Sequence, residues 1–168
     1  MKKARAFTLV EILIVVVLLG ILAAVVIPAV ANSGTSARQS ALATDLRLLR
    51  RFALIYKSHH LEVAPGYPNG NTGAAPAEQA FVDQATLSSN SSGQTAPVGT
   101  PGFERGPYMQ KLPVNPFNRK ATVEMLADGA AFPPNADDSH GWIYKAATGE
   151  VRADNTGADI SGIPYYDY

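Results

Sequence analysis

Twenty consecutive uncharged, mostly apolar residues, Ile12 to Ala31, follow directly on a single acidic one, Glu11. At 1.5 Å per residue this run makes about 30 Å of helix, the thickness of a bilayer's hydrocarbon core, so the segment can span a membrane. Glu11 is the residue out of place. A carboxylate drawn toward lipid is disfavoured by up to ~3 kcal/mol, less near the interface than at the centre. Lys2, Lys3 and Arg5 precede the run and suggest a cytoplasmic N-terminus. Arg38, Arg47, Arg50 and Arg51 on the other side keep the positive-inside count from deciding it.

Three readings compete for this stretch. A plain single-span anchor accounts for the length and leaves Glu11 unexplained. A secretory signal peptide accounts for the basic start and for Ala29-Val30-Ala31 as a small-x-small cleavage site. Glu11 and the long apolar region weaken it, as does the helical pattern that resumes beyond the cut. On that reading the mature protein is a secreted soluble binding domain released after Ala31.

The third reading explains Glu11. The stretch Ala6-Phe7-Thr8-Leu9-Val10-Glu11 resembles the processing site of type IV prepilins and type II secretion pseudopilins. The resemblance implies removal of a short basic leader by a membrane peptidase, with the cut between Ala6 and Phe7, and N-methylation of Phe7. Glu11 then stands fifth, where the family has its glutamate. Gly20 and Pro28 fall where the family commonly places helix-loosening residues, and the segment between them is expected to lose helicity in an assembled filament. Ala6 departs from the usual glycine before the cut, which bears on the rate of processing.

Electrostatics gives the glutamate a task on this reading. Cleavage after Ala6 would free an α-amine on Phe7, mostly protonated near neutral pH. A carboxylate four residues along lies about 6 Å up the helix axis. In a filament, Glu11 of one subunit can pair with the Phe7 amine of a neighbour, and pairing offsets much of what each charge would cost alone in an apolar bundle. The alternative is an interfacial glutamate that never enters lipid.

Pro28 near the end of the span and then Asn32-Ser33-Gly34-Thr35 beyond it are expected to kink or loosen the helix. Leu42, Leu46, Leu49, Ala53 and Tyr56 then step by 4, 3, 4 and 3, one apolar stripe that predicts an amphipathic helix covering a sheet. Phe52 and Tyr56 read as core. Lys57, His59 and His60 place positive charge at the helix end, where the dipole favours it, and the helix is expected to stop before Pro65-Gly66.

Residues 64–141 hold ten of the twelve prolines and nine of the fourteen glycines, so irregular chain with short ordered pieces is expected there. Ala75 to Leu87 suits a short helix with Phe81, Val82 and Ala85 facing inward. Residues 106–118 read as an extended segment pinned by Tyr108, Leu112 and Phe117, and 121–126 as a strand. Residues 141–146 and 150–153 read as a hairpin with glycine in its turn, with Trp142 and Tyr144 packing the sheet onto the long helix.

Composition excludes more than it proposes. There is no cysteine and the formal charge balances to zero, so neither disulfides nor a general case for nucleic acid arises. The charges are unevenly spread: five basic residues and one acidic one from Arg38 to Lys57, then eight acidic and two basic from Glu124 onward. No nucleophile motif, paired histidines or phosphate-binding glycine loop appears, and His140 beside Asp137 and Asp138 makes no triad. The reading is of a protein that is not an enzyme and needs no cofactor. Calcium is the one metal raised, by resemblance to the major pseudopilins, with Asp137, Asp138, Asp154, Asn155 and Asp159 as its candidate ligands and solvated turn carboxylates as the alternative.

The sequence therefore predicts an α+β fold: a long N-terminal α-helix, membrane-spanning in its first half, on a small antiparallel β-sheet head, pilin-like in outline. The expected segments are a leader (1–6), the membrane and filament-core helix (7–31), an amphipathic helix (32–60), a variable loop region with a short helix (61–120) and a β region (121–168). The resemblance implies a filament homo-oligomer whose partners are a prepilin peptidase, an inner-membrane secretion or pilus assembly platform and the lipid bilayer. It places the chain in a bacterial inner membrane, single-pass, with its head periplasmic or extracellular. A type II secretion pseudopilin is the first choice and a type IV pilus subunit the second.

Overall fold

The computed structural model describes residues 8–168, and of residues 28–33 the backbone only. The expected cleavage site, Ala6 and Phe7, and the Pro28 side chain lie outside the described residues. Helix α1 spans Leu9–His59 and α2 spans Glu78–Thr86. The strands are β1 (Ser88–Ser89), β2 (Thr95–Ala96), β3 (Val123–Leu126), β4 (Trp142–Lys145) and β5 (Glu150–Ala153). The chain divides after Arg38 into an N-terminal unit and a head, Gln39–Tyr168.

The N-terminal unit, where described, is helix. Leu9–Ile27 is the one helical stretch among the described residues long and apolar enough to cross a membrane, with a mean hydropathy of 3.2, and none of it is buried. A Cβ built on Gly20 would meet nothing within 4 Å, so packing inside a single chain does not call for glycine there. Through Pro28 and 32–35, where the sequence is expected to kink or loosen the helix, α1 runs as one element in the single chain. A proline removes one hydrogen bond of the ladder, and the turns on either side keep theirs.

In the head, α1 turns one stripe inward. Leu42, Leu46, Leu49, Ala53 and Tyr56 are all buried, at the spacing the sequence displays. They share one core with Phe52, Phe81, Trp142, Tyr144 and Val151, and burying each large side chain stabilises the head by roughly 1.5–3 kcal/mol. Aromatic contacts link the layers: Phe52 meets Phe81 edge-on at 5.3 Å between centroids, and Phe81 lies tilted against Tyr144 at 4.7 Å. Gln84 of α2 enters this core with its amide fully used. It accepts from the Gly66 N–H (2.7 Å) and donates to the carbonyls of Tyr67 (2.9 Å) and Gly93 (3.3 Å).

The end of α1 differs from expectation at one residue. His60 is buried and stacked on Tyr56, 3.7 Å between centroids. Its Nδ1 lies 2.7 Å from the Tyr56 carbonyl and its Nε2 3.0 Å from Ser89 Oγ. Burial pushes the imidazole below its ordinary pKa, so His60 ties α1 to β1 and adds no charge to the helix end.

The three-stranded sheet has the order β3-β4-β5. The β4–β5 hairpin is antiparallel, pairing Trp142 with Ala153 and Lys145 with Glu150. The β3–β4 pair is parallel, Val123 beside Trp142 and Leu126 beside Lys145. The sheet is therefore mixed, where the sequence predicts an antiparallel one. Residues 127–141 are long enough to carry the chain back to the start of β3, and a parallel neighbour needs that kind of crossover. Central β4 is buried on both faces: Trp142 and Tyr144 join the main core, while Ile143 packs with Leu126 and Tyr166 in a second cluster.

Candidate functional site

Two places carry the candidate residues: the start of α1, and the acidic turns around the sheet. At the first, Thr8 precedes the helix and Glu11 is its third residue. The Glu11 carboxylate accepts hydrogen bonds from the Thr8 N–H (2.8 Å) and hydroxyl (2.9 Å) through Oε2, while the Glu11 N–H reaches Thr8 Oγ1 at 3.2 Å. This reciprocal arrangement is a capping box, which satisfies otherwise orphaned N–H groups at a helix start. It also gives one carboxylate oxygen two donors, which offsets part of the cost of a charge at the edge of an apolar run. The sequence reading missed the cap although its signal, Thr-x-x-Glu ahead of an apolar run, was present.

The second place is organised around Asp154, which is completely buried. Its Oδ1 accepts the N–H groups of Asp137 (2.9 Å) and Asp138 (3.2 Å), and its Oδ2 accepts the His140 N–H (2.7 Å) and Ser139 hydroxyl (3.1 Å). The loop 137–140 is thus wrapped around one carboxylate. Two asparagines of the Pro-Val-Asn-Pro-Phe-Asn segment fix its outgoing end. Asn115 donates to the Gly141 carbonyl (2.8 Å), and Asn118 to those of His140 (2.6 Å) and Asp154 (2.8 Å). The Lys120 ammonium lies on two more carbonyls, Asp138 (2.8 Å) and Ser139 (3.0 Å). Hydrogen bonds from Ser139 hold the Asp137 carboxyl below its usual range.

The five candidate calcium ligands do not converge on one point. Asp137, Asp138, Asp154 and Asn155 are brought together: Asn155 Nδ2 donates to Asp138 at 3.0 Å, and the Thr156 hydroxyl bonds the same carboxylate. Asp159 is built into a separate turn, accepting from the N–H groups of Ser161 (2.7 Å) and Ile163 (3.0 Å) and from the Tyr168 hydroxyl (2.9 Å). The Ile163 N–H is the main reason its pKa is lowered. Calcium takes six to eight oxygens turned toward it, and Asp154 offers its oxygens to four protein donors instead. No cluster of three or more His, Cys, Asp or Glu suited to a metal ion occurs among the described residues. One acceptor, Asn155 Oδ1, is buried without a partner among them.

Ser139, His140 and Asp154 lie side by side, yet their order is not that of a triad. Asp154 bonds the backbone N–H of His140, and the imidazole Nδ1 meets Ser139 Oγ (2.8 Å) with no carboxylate behind it to orient the ring.

Comparison with known proteins bears on the first place and on the chain as a whole. Residues 1–27 match the family described as the prokaryotic N-terminal methylation motif. The chain is similar to type II secretion system core protein G of Pseudomonas aeruginosa, 29% identical over 135 residues covering 79% of this chain and 80% of the relative. It is likewise similar to the protein of the same name from Vibrio cholerae, 27% identical over 168 residues covering 100% and 97%. For the Klebsiella pneumoniae protein the identity is 29% over 132 residues, covering 77% and 79%. No solved structure matches. The chain thus joins a prokaryotic N-terminal methylation motif to a pilin-like α+β fold, and it is similar over most or all of its length to the type II secretion pseudopilins.

Proposed function

We propose that this chain is a structural subunit of a type II secretion pseudopilus, anchored by Leu9–Ile27 in the bacterial inner membrane with its head on the periplasmic side. Prepilin peptidase cuts between Ala6 and Phe7 and Phe7 is N-methylated. Subunits then assemble through their N-terminal helices, with the Glu11 carboxylate meeting the Phe7 amine of a neighbour and Gly20 to Pro28 free to loosen. The observation that carries this reading is the coincidence of the methylation motif, residues 1–27, with a helix from Leu9 to Ile27 that is apolar and unburied. An apolar helix with none of its length buried needs lipid or other subunits around it.

The test is co-expression of the full chain with a prepilin peptidase and a type II assembly platform. The reading expects the chain in short periplasmic filaments only when both are present. A chain that stays wholly in the membrane under those conditions opposes it. Abundant filaments on the cell surface would favour the second reading, a type IV pilus subunit.

The acidic turns are read as held by protein groups, with no resident metal. Asp154 has four donors and Lys120 already places a cation on two loop carbonyls. Calcium is the alternative, and the unpartnered Asn155 Oδ1 beside Asp138 is the observation in its favour.

A further inference from the structure

The end of α1 carries features that the head's own core does not explain. Leu54 is 70% exposed and Leu61 80%. Leu61 and Glu62 both lie in the left-handed region, with φ of 53° and 65°. Consecutive bulky residues there are outliers, and such strain concentrates at functional segments. Hydrogen bonds hold the corner: the Glu62 N–H reaches the Lys57 carbonyl (3.1 Å) and the Val63 N–H that of His60 (2.9 Å). Beside it runs a groove of about 480 Å³ between α1 and the β4–β5 turn. Leu54, Ala64 and Ala146 make its apolar lining, and Arg50 and Lys57 its basic one. Lys57 meets Glu62 at 3.6 Å with both side chains well exposed, an ion pair that gives up little when it is replaced.

A feature of opposite character stands in the turn Ala158–Pro164. Ile160 is 95% exposed. The turn is built stiff: Asp159 accepts from Ser161 and Ile163, its N–H reaches the Ile163 carbonyl (2.9 Å), and Ala158 bridges to Pro164. An isoleucine projected from a pre-organised turn loses little conformational freedom when bound. The hydrogen bonds that stiffen the turn also keep Asp159 ionised. Turn and groove share no residue.

We propose that the groove at the end of α1 receives the Ile160 turn of a second copy, with Ile160 against Leu54 and Ala146 and the Asp159 side facing Lys57, since Arg50 is already bonded to the Val151 and Tyr168 carbonyls of its own chain. Complementarity within one sequence selects a second copy as the occupant. The α1 wall of the groove lies on the segment with five basic residues against one acidic, and the turn lies in the stretch with eight acidic against two basic. A knob and a groove made of different residues form a heterologous contact, and each copy offers both halves. Such contacts propagate into open assemblies unless the rotation closes a ring. The inference rests on the filament reading and adds to it a head-to-head contact outside the membrane.

The chain has no cysteine, so Leu54→Cys and Ile160→Cys can be introduced without background. Both sites are exposed, where substitutions have small effects on stability. In membranes carrying assembled full-length protein, oxidation of the double variant should give a ladder of cross-linked copies, and a mixture of the two single variants should stop at dimers. Adding Lys57→Glu should thin the ladder while filaments persist. Filaments without a ladder, or a Leu54→Cys chain cross-linked to a different protein, overturn the contact and leave the filament reading standing. Absence of filaments from the unmodified chain overturns both.

Discussion

Thr8 and Glu11 bond each other reciprocally at the start of α1, side chain to backbone in both directions. Glu11 therefore has two separable jobs, closing a cap within its own chain and, on the filament reading, meeting an amine on another. Glu11→Gln separates them, because an amide oxygen can still accept from Thr8 while the charge is gone. The account expects Glu11→Gln and Glu11→Ala to leave the head folded by circular dichroism and to reduce filament incorporation alike. Thr8→Ala, which costs the cap about 1 kcal/mol, should impair incorporation less. Normal incorporation of Glu11→Gln would remove the charge from the mechanism.

Asp154→Ala should destabilise the head more than any single surface change. It leaves four donors from residues 137–140 facing an emptied, buried site. The loss of a buried acceptor on this scale is roughly 3 kcal/mol, a fall in Tm on the order of 10 °C. Thermal melts of the detergent-solubilised chain measure it, and a fall no larger than that of a neighbouring exposed residue such as Asp137 would show that the loop does not depend on this carboxylate.

Calcium removal should leave the melting midpoint where it was, because Lys120 and Asp154 already hold the loop. The comparison is one preparation melted with added calcium and with a chelator. A chelator-induced drop would restore the metal, with Asp138 and Asn155 as the first ligands to substitute.

His60 makes head stability depend on pH in a definite direction. Its folded pKa is depressed, chiefly by burial, with Arg105 and His59 adding to the effect and the Tyr56 carbonyl opposing it. Below the ordinary value of 6.5 the unfolded chain binds a proton that the folded chain refuses. Stability is thus fully present above that pH and declines as the pH falls toward the folded value. The Tm should drop between about pH 7.5 and about pH 5.5 in the unmodified chain and drop less in His60→Gln. Equal slopes would assign the acid sensitivity elsewhere.

What the sequence discloses, and what it withholds, follows from the range over which each feature is decided. The Leu42-to-Tyr56 stripe and the Trp142–Ala153 hairpin are local patterns, and both stand where the residues place them. The parallel β3–β4 pairing turns on the path of residues 127–141, which carry no periodic signal. Asn115, Asn118 and Asp154 look like ordinary turn residues. Their burial and their hydrogen bonds depend on segments up to 36 residues away, as between Asn118 and Asp154. His60 reads as helix-end charge until Ser89 closes over it from another element. At the candidate site the glutamate was legible because a carboxylate is conspicuous beside an apolar run, while its partner Thr8 was passed over as one more small residue.

The central claim is that the chain is processed as a prepilin, and the mass of the N-terminal peptide of the protein extracted from its native membrane tests it most directly. The account predicts a mature chain that begins at Phe7 and carries one N-methyl group. A soluble chain beginning at Asn32, or a membrane chain retaining residues 1–6, would contradict it.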